Sequence, residues 1–182
     1  MISEKVLLEQ ARRFDEQALT EVYDRYSPEL YRYAVRLLDD RDLAEECVAE
    51  TFSRLLMALK HGKGPRQYIR AYLYRVAHNW ITDSYRRQPP PTVQLNTQWQ
   101  ADPDIDPQVA VVKNMEQQEV RSALFKLTPE QRQVMTLKYI EGWRNNEIAQ
   151  ALDKPVGAVK SLQHRALNSL RRILVKEQEV VS

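Results

Sequence analysis

Apolar residues recur three and four positions apart through most of the first 87 residues. Leu7, Ala11, Phe14 and Ala18 keep that spacing, as do Leu30, Ala34, Leu37 and Leu38, which predicts helices burying one face each. Ser27-Pro28 reads as an N-cap followed by a first-turn proline, so a new helix is expected to open there. Asp42 precedes Leu43-Ala44-Glu45-Glu46, and Val48, Phe52, Leu55, Leu56 and Leu59 supply the next apolar stripe. Two glycines and a proline make His61-Gly62-Lys63-Gly64-Pro65 a loop. Tyr68, Ile69, Tyr72, Leu73, Val76, Ala77, Trp80 and Ile81 then resume the helical period as far as Tyr85. Four such helices can share a core, which sets a first domain at residues 1–87.

Pro89-Pro90-Pro91 enforces an extended backbone and ends that domain. Thr92 to Pro107 is polar and without a sustained period, so residues 88–111 read as an extended linker. Leu95 and Trp99 within it imply packing against a domain or a partner. A second domain is expected over residues 112–182. Val112 to Phe125 reads as a helix. Thr128-Pro129-Glu130-Gln131 offers an N-cap, a proline at the first helical position and a capping-box Gln. That helix stops at Gly142. A short helix from Asn145 to Leu152, a turn at Asp153-Lys154-Pro155 and a longer helix from Val156 to Leu174 make a helix-turn-helix pattern. The fold class is therefore all-α: two helical domains joined by an extended linker.

Composition narrows the function. In 182 residues, 4 Gly and 9 Pro argue against a turn-rich β-sandwich. The single cysteine, Cys47, excludes an internal disulfide and a multi-thiolate zinc site; it occupies an apolar helix position and is expected to be buried and inert. No apolar run can span a bilayer, and the N-terminus lacks a signal peptide's apolar stretch. A cytoplasmic protein without metal or cofactor is expected.

The net charge of +2 conceals a strong segregation. Residues 39–59 hold six acids and two bases, residues 60–87 seven bases and one acid, residues 88–112 three acids, and residues 154–176 six bases and no acid. Two basic blocks separated by an acidic spacer fit two contacts with one polyanion, although charged helix faces are also simply solvated. On the last helix Val156, Val159, Ala166, Leu170 and Ile173 form the buried stripe, leaving Lys160, Ser161, His164, Arg165 and Asn168 outward. Every outward group near its start can donate a hydrogen bond, which suits phosphates and the acceptor-rich major groove. Arg171 and Arg172 also fit a helix C-terminus, but Lys154 and Lys160 lie in the first turns.

These residues resemble a known family. LFKLTPEQRQVMTLKYIEGWRNNEIAQALDKPVGAVKSLQHRALNSLRRIL, residues 124–174, looks like the promoter-binding C-terminal domain of the sigma-70 family, with the extracytoplasmic-function (ECF) group most similar. AEECVAETFSRLLMAL, residues 44–59, resembles the segment that grips the clamp helices of RNA polymerase. RQYIRAYLYRVAHNWITDSYRR, residues 66–87, resembles the segment that opens and reads the −10 element.

The resemblance implies a transcription initiation factor, not an enzyme, with core RNA polymerase (clamp helices and flap), promoter DNA and an anti-sigma factor as partners. It places Glu45, Glu46 and Glu50 at the clamp and leaves Phe52 to the core; Ala49 replaces a common Gln. His61, Lys63 and Arg66 fall in the loop that captures a base flipped from the −10 element, which a stacked base would deny. Tyr72, Arg75, Asn79 and Trp80 fall on the helix that handles the opened strand by stacking and phosphate contact, though Tyr72 and Trp80 also fit the core stripe. Asp83, Arg86 and Arg87 fall just upstream, with Asp83 alternatively only orienting the arginines. Arg144, Lys160, Ser161, His164 and Arg165 fall at −35-reading positions. Leu162-Gln163 reverses the family's frequent basic-then-apolar order, leaving the rotation of the last helix open.

Two other classes compete. An ordinary helix-turn-helix regulator would share the second domain but leave the acidic block and basic-aromatic helix unexplained. A nucleic-acid enzyme would need a metal cluster or an activated nucleophile, and three scattered histidines supply neither.

Overall fold

A computed structural model describes residues 2–87 and 118–181. Among them there is no strand. The first half is four helices: α1 (Glu4–Arg12), α2 (Glu16–Leu38), α3 (Arg41–Lys60) and α4 (Ile69–Arg87). Their starts are fixed by short polar caps: Ser3 Oγ accepts from Val6 N at 3.4 Å, Asp15 Oδ1 from Ala18 N at 2.9 Å, and Asp40 Oδ1 from Leu43 N at 2.9 Å. Leu7, Leu30, Tyr33, Leu37, Leu55, Ile69, Leu73 and Ile81 fill the shared core.

Two sequence expectations are corrected here. Phe14 does not extend the first stripe. It lies between α1 and α2 at φ 60° and is 43% exposed, because the chain turns back there to bring α1 onto α2. Ser27-Pro28 does not open a helix; α2 runs unbroken through Pro28. The stripe Ala18, Val22, Tyr26, Leu30, Tyr33 and Leu37 is continuous across the proline, so packing overrides the lost hydrogen bond. α3 is capped by Asp40, one residue after α2 ends at Asp39 in the left-handed conformation.

The second half begins with helical residues 118–125 (α5), followed by α6 (Pro129–Met135), which continues as a wide-turn segment over Thr136–Ile140. The capping box is present: Gln131 N donates to Thr128 Oγ1 at 3.3 Å and Thr128 N to Gln131 Oε1 at 3.4 Å. Gly142, at φ 71°, ends the segment. α7 (Asn145–Leu152) and α8 (Val156–Val181) follow, joined through Asp153 in the left-handed conformation. Leu127, Met135 and Ala166 form a small core between α6 and α8. The expected linker, residues 88–111 with Leu95 and Trp99, lies outside the described residues.

The halves pack together along α4. The Arg70 guanidinium lies 4.3 Å from the centre of the Trp143 ring, and Trp143 stacks at a tilt on Tyr74, 4.5 Å away. Arg70 is held by two bonds to the Glu29 carboxylate, at 3.0 and 3.1 Å. Arg132 Nη1 donates to Tyr85 Oη at 3.1 Å, and Gln133 Nε2 to Thr82 Oγ1 at 3.3 Å. Arg75 donates to the Gln150 carbonyl, and Arg36–Glu141 and Arg121–Asp39 pair across the seam. Arg75 Nε, His78 Nδ1, Gln133 Oε1 and Trp143 Nε1 are also buried at this seam.

Candidate nucleic-acid interface

The acidic block lies on α3. Glu45 and Glu46 are exposed, and Glu50 is half-exposed with its carboxylate 2.7 Å from Arg54 Nε. The apolar residues of the same helix, Ala44, Cys47, Val48 and Phe52, turn inward together with Thr51, so helical spacing alone separates an anionic outer face from the core. Phe52 is buried and packs on Tyr23 at 4.8 Å between ring centres. Cys47 is buried, and burial pushes its thiol up to about 12, so thiolate chemistry is suppressed.

The loop after α3 is anchored rather than loose. Gly62 adopts φ 68°, a conformation that favours glycine, and a Cβ on Gly64 would come within 2.5 Å of Leu59 Cδ2, so that side chain would have to shift. Arg12 Nη1 donates to the Pro65 carbonyl at 3.2 Å, tying the loop to α1. His61, Lys63 and Arg66 are exposed on it. His61 Nδ1 is 2.8 Å from the Met57 carbonyl; a carbonyl only accepts, so Nδ1 carries the proton.

α4 separates its candidates by face. Asn79, Asp83, Arg86 and Arg87 are exposed. Asp83 lies 3.8 Å from Arg86, a geometry in which it can orient that arginine. Tyr72 is half-buried, and Trp80 is only 7% exposed. Trp80 therefore belongs to the core, where its ring cannot stack on a base without rearrangement. Arg75 is turned toward the second half and bonded to Gln150.

α8 answers the question of rotation. Leu162 and Gln163 are both buried, Gln163 because its Nε2 donates to Asn145 Oδ1 at 2.8 Å. Lys160, Ser161, His164, Arg165 and Asn168 are all exposed. Asn168 Nδ2 sits 3.2 Å from His164 Nε2; the amide nitrogen only donates, so His164 presents a protonated Nδ1. Arg144 is the N-cap residue of α7, and Glu147 Oε2 accepts from its backbone N–H at 2.7 Å. Lys154 is paired with Glu130 at 3.2 Å, which weakens its expected role as an unpaired first-turn base. Among the described residues no cluster of His, Cys, Asp and Glu could hold a metal ion, and no helix is long and apolar enough to cross a membrane.

Sequence reasoning assigned nothing to Arg12, Arg70, Arg132 or Trp143. Their partners lie far away in the chain, Arg12 to Pro65 and Arg132 to Tyr85, and periodicity reads only neighbours.

Comparison with known proteins covers both halves. Residues 22–89 match the model of sigma-70 region 2, and residues 117–170 that of sigma-70 region 4. The chain is 34% identical over 161 residues to the ECF RNA polymerase sigma factor SigL of Mycobacterium tuberculosis, covering 84% of this chain and 86% of SigL. It is 28% identical over 171 residues to the ECF sigma factor BldN of Streptomyces coelicolor, covering 92% of this chain but only 64% of BldN's length. Its fold is similar to CnrH in complex with the cytosolic domain of CnrY, with a TM-score of 0.70 at 24% identity over 95% and 97% of the two chains. It is also similar to the sigma factor RpoE in complex with the anti-sigma factor NepR from Bartonella quintana, with a TM-score of 0.61 at 21% identity over 85% and 95%.

Proposed function

The chain belongs to the ECF group of the sigma-70 family of RNA polymerase sigma factors, and from that membership we propose that it binds core RNA polymerase and directs it to specific promoters. Proteins of this kind are initiation factors rather than enzymes. Residues 1–87 engage the polymerase clamp and the −10 element, residues 112–182 read the −35 element, and residues 88–111 join them. Glu45, Glu46 and Glu50 present the anionic face to the clamp. His61, Lys63 and Arg66 on the anchored loop, with Tyr72, Arg75, Asn79, Asp83, Arg86 and Arg87, handle the opened −10 strand. Trp80 supports that helix from the core. Lys160, Ser161, His164 and Arg165 enter the major groove, and Arg144 contacts the backbone beside them. An anti-sigma protein is the expected restraining partner, as NepR is for RpoE.

The observation that carries this reading is the division of α8, with Lys160, Ser161, His164 and Arg165 outward and Leu162 and Gln163 buried between them. Such a helix offers a groove hydrogen-bond donors without exposing a carboxylate. The test addresses the clamp face. Glu45→Lys with Glu46→Lys changes exposed residues and should alter stability by no more than about 0.5 kcal/mol, yet weaken assembly with core polymerase at least about tenfold, worth ~1.4 kcal/mol. Equal assembly by the double variant and the wild type, titrated by fluorescence anisotropy, would remove the clamp assignment.

A further inference from the structure

We propose that Asn145 and Gln163 are a specificity-determining positioning pair: their hydrogen bond sets the rotation of α8, and thereby which bases Lys160 and His164 meet. This deepens the promoter-reading function proposed above and rests on it. Gln163 lies about two turns into α8, on the same buried face as Val159, Leu162 and Ala166. Its Nε2 donates to Oδ1 of Asn145, the first residue of α7, at 2.8 Å. Glutamine is mostly an exposed residue, so its place in an otherwise apolar row is tied to the partner it finds there.

The rest of the joint between α7 and α8 fixes rotation less sharply. Ile148 and Leu152 of α7 and Val159 and Leu162 of α8 belong to one apolar cluster, and apolar attraction is non-directional. The turn constrains only the near end, where Asp153 is left-handed and Lys154 N donates to the Ala149 carbonyl at 3.0 Å. A hydrogen bond is different, because it prefers alignment above about 150° and weakens steeply below about 120°. Turning α8 by about 20° would carry its side-chain tips, at a radius of roughly 5–6 Å, through about 2 Å. That is more than half the ~3.4 Å between neighbouring base pairs, enough to break a hydrogen bond to a base edge.

The pair also joins two kinds of DNA contact. Arg144, assigned to the DNA backbone, is the N-cap residue of α7 and immediately precedes Asn145. Phosphate contacts set register, whereas base contacts discriminate sequence. Through Asn145 and Gln163 the register taken at Arg144 passes to the helix that carries Lys160 and His164, both exposed. Gln163 directly precedes His164, so the buried anchor and the outward reader share one stretch of backbone.

The experiment uses the full chain assembled with core RNA polymerase on a library randomised at −35, with urea unfolding of each protein alone. Removing one amide leaves its partner unmet, whereas replacing both by apolar groups of similar shape is close to neutral. Asn145→Leu combined with Gln163→Met should therefore unfold near the wild-type midpoint. It should nevertheless relax preference at the positions read by Lys160 and His164 together, by about three- to tenfold each. Lys160→Ala and His164→Ala each relax one of these positions and so identify them. Asn145→Asp keeps an acceptor for Gln163 and should keep the wild-type preference, while Asn145→Leu should lose it. A paired variant that stays folded and selects the wild-type −35 bases overturns the positioning role. If the paired variant does not fold, equal preference in Asn145→Asp and Asn145→Leu overturns it. A wild-type holoenzyme with no −35 preference at all overturns the promoter-reading function instead.

Discussion

Lys160 and His164 lie one turn apart on the exposed side of α8, so both can reach neighbouring base pairs. His164 offers Nδ1–H, since its Nε2 accepts from Asn168. Replacing Lys160 or His164 by Ala should relax preference at individual −35 positions, at a cost of about 1–3 kcal/mol for a good base contact. Arg171 and Arg172 are exposed further along, and their removal should instead weaken binding on all sequences and flatten its salt dependence. Holoenzyme binding to a randomised −35 library at two salt concentrations separates these outcomes; an unchanged base preference in both the Lys160 and His164 variants would sink the assignment. The outward set on this helix was legible from its 3.6-residue period. Burial of Leu162 was not, because the adjacent Gln163 looks like a surface residue until its bond to Asn145 is seen.

At the level of elements, the instructive case is α2. Its proline was legible as a helix start and is not one, because local propensity lost to a core stripe running on both sides of it. Pro28 is exposed and lacks the N–H that would bond the Asp24 carbonyl four residues earlier. Pro28→Ala should therefore raise stability by about 1–3 kcal/mol, read as a higher urea midpoint at unchanged slope. A midpoint that stays level or falls would mean that the proline bends α2 to fit α1 and α3. By contrast Thr128-Pro129-Glu130-Gln131 was legible in full, because a capping box is a purely local device.

At the scale of the whole molecule, the seam escaped sequence reading because its contacts join single residues across large separations, such as Arg36 with Glu141. Its pH response follows from His78. Burial pushes this imidazole down from 6.5 to about 4, against the pull of Glu130 and with the push of Lys154. Above pH 6.5 the ring is neutral in the folded and the unfolded chain, and its contribution to stability is kept in full. Between 6.5 and about 4 only the unfolded chain takes up the proton, so stability weakens as pH falls through that window. Below about 4 both forms are charged and the loss stops. The urea midpoint should fall between pH 7.5 and 5, and His78→Gln should blunt that fall. An identical profile in the His78→Gln protein would assign the change to carboxylates instead.

One hydroxyl joins the two halves without being the property of either. Tyr85 Oη donates to the Leu37 carbonyl inside the first half while accepting from Arg132 across the seam. Arg132 meanwhile donates to the Leu124, Phe125 and Leu127 carbonyls in its own half. The contact works as a clasp between two separately tied parts: each residue is fixed at home by bonds that do not depend on the shared one.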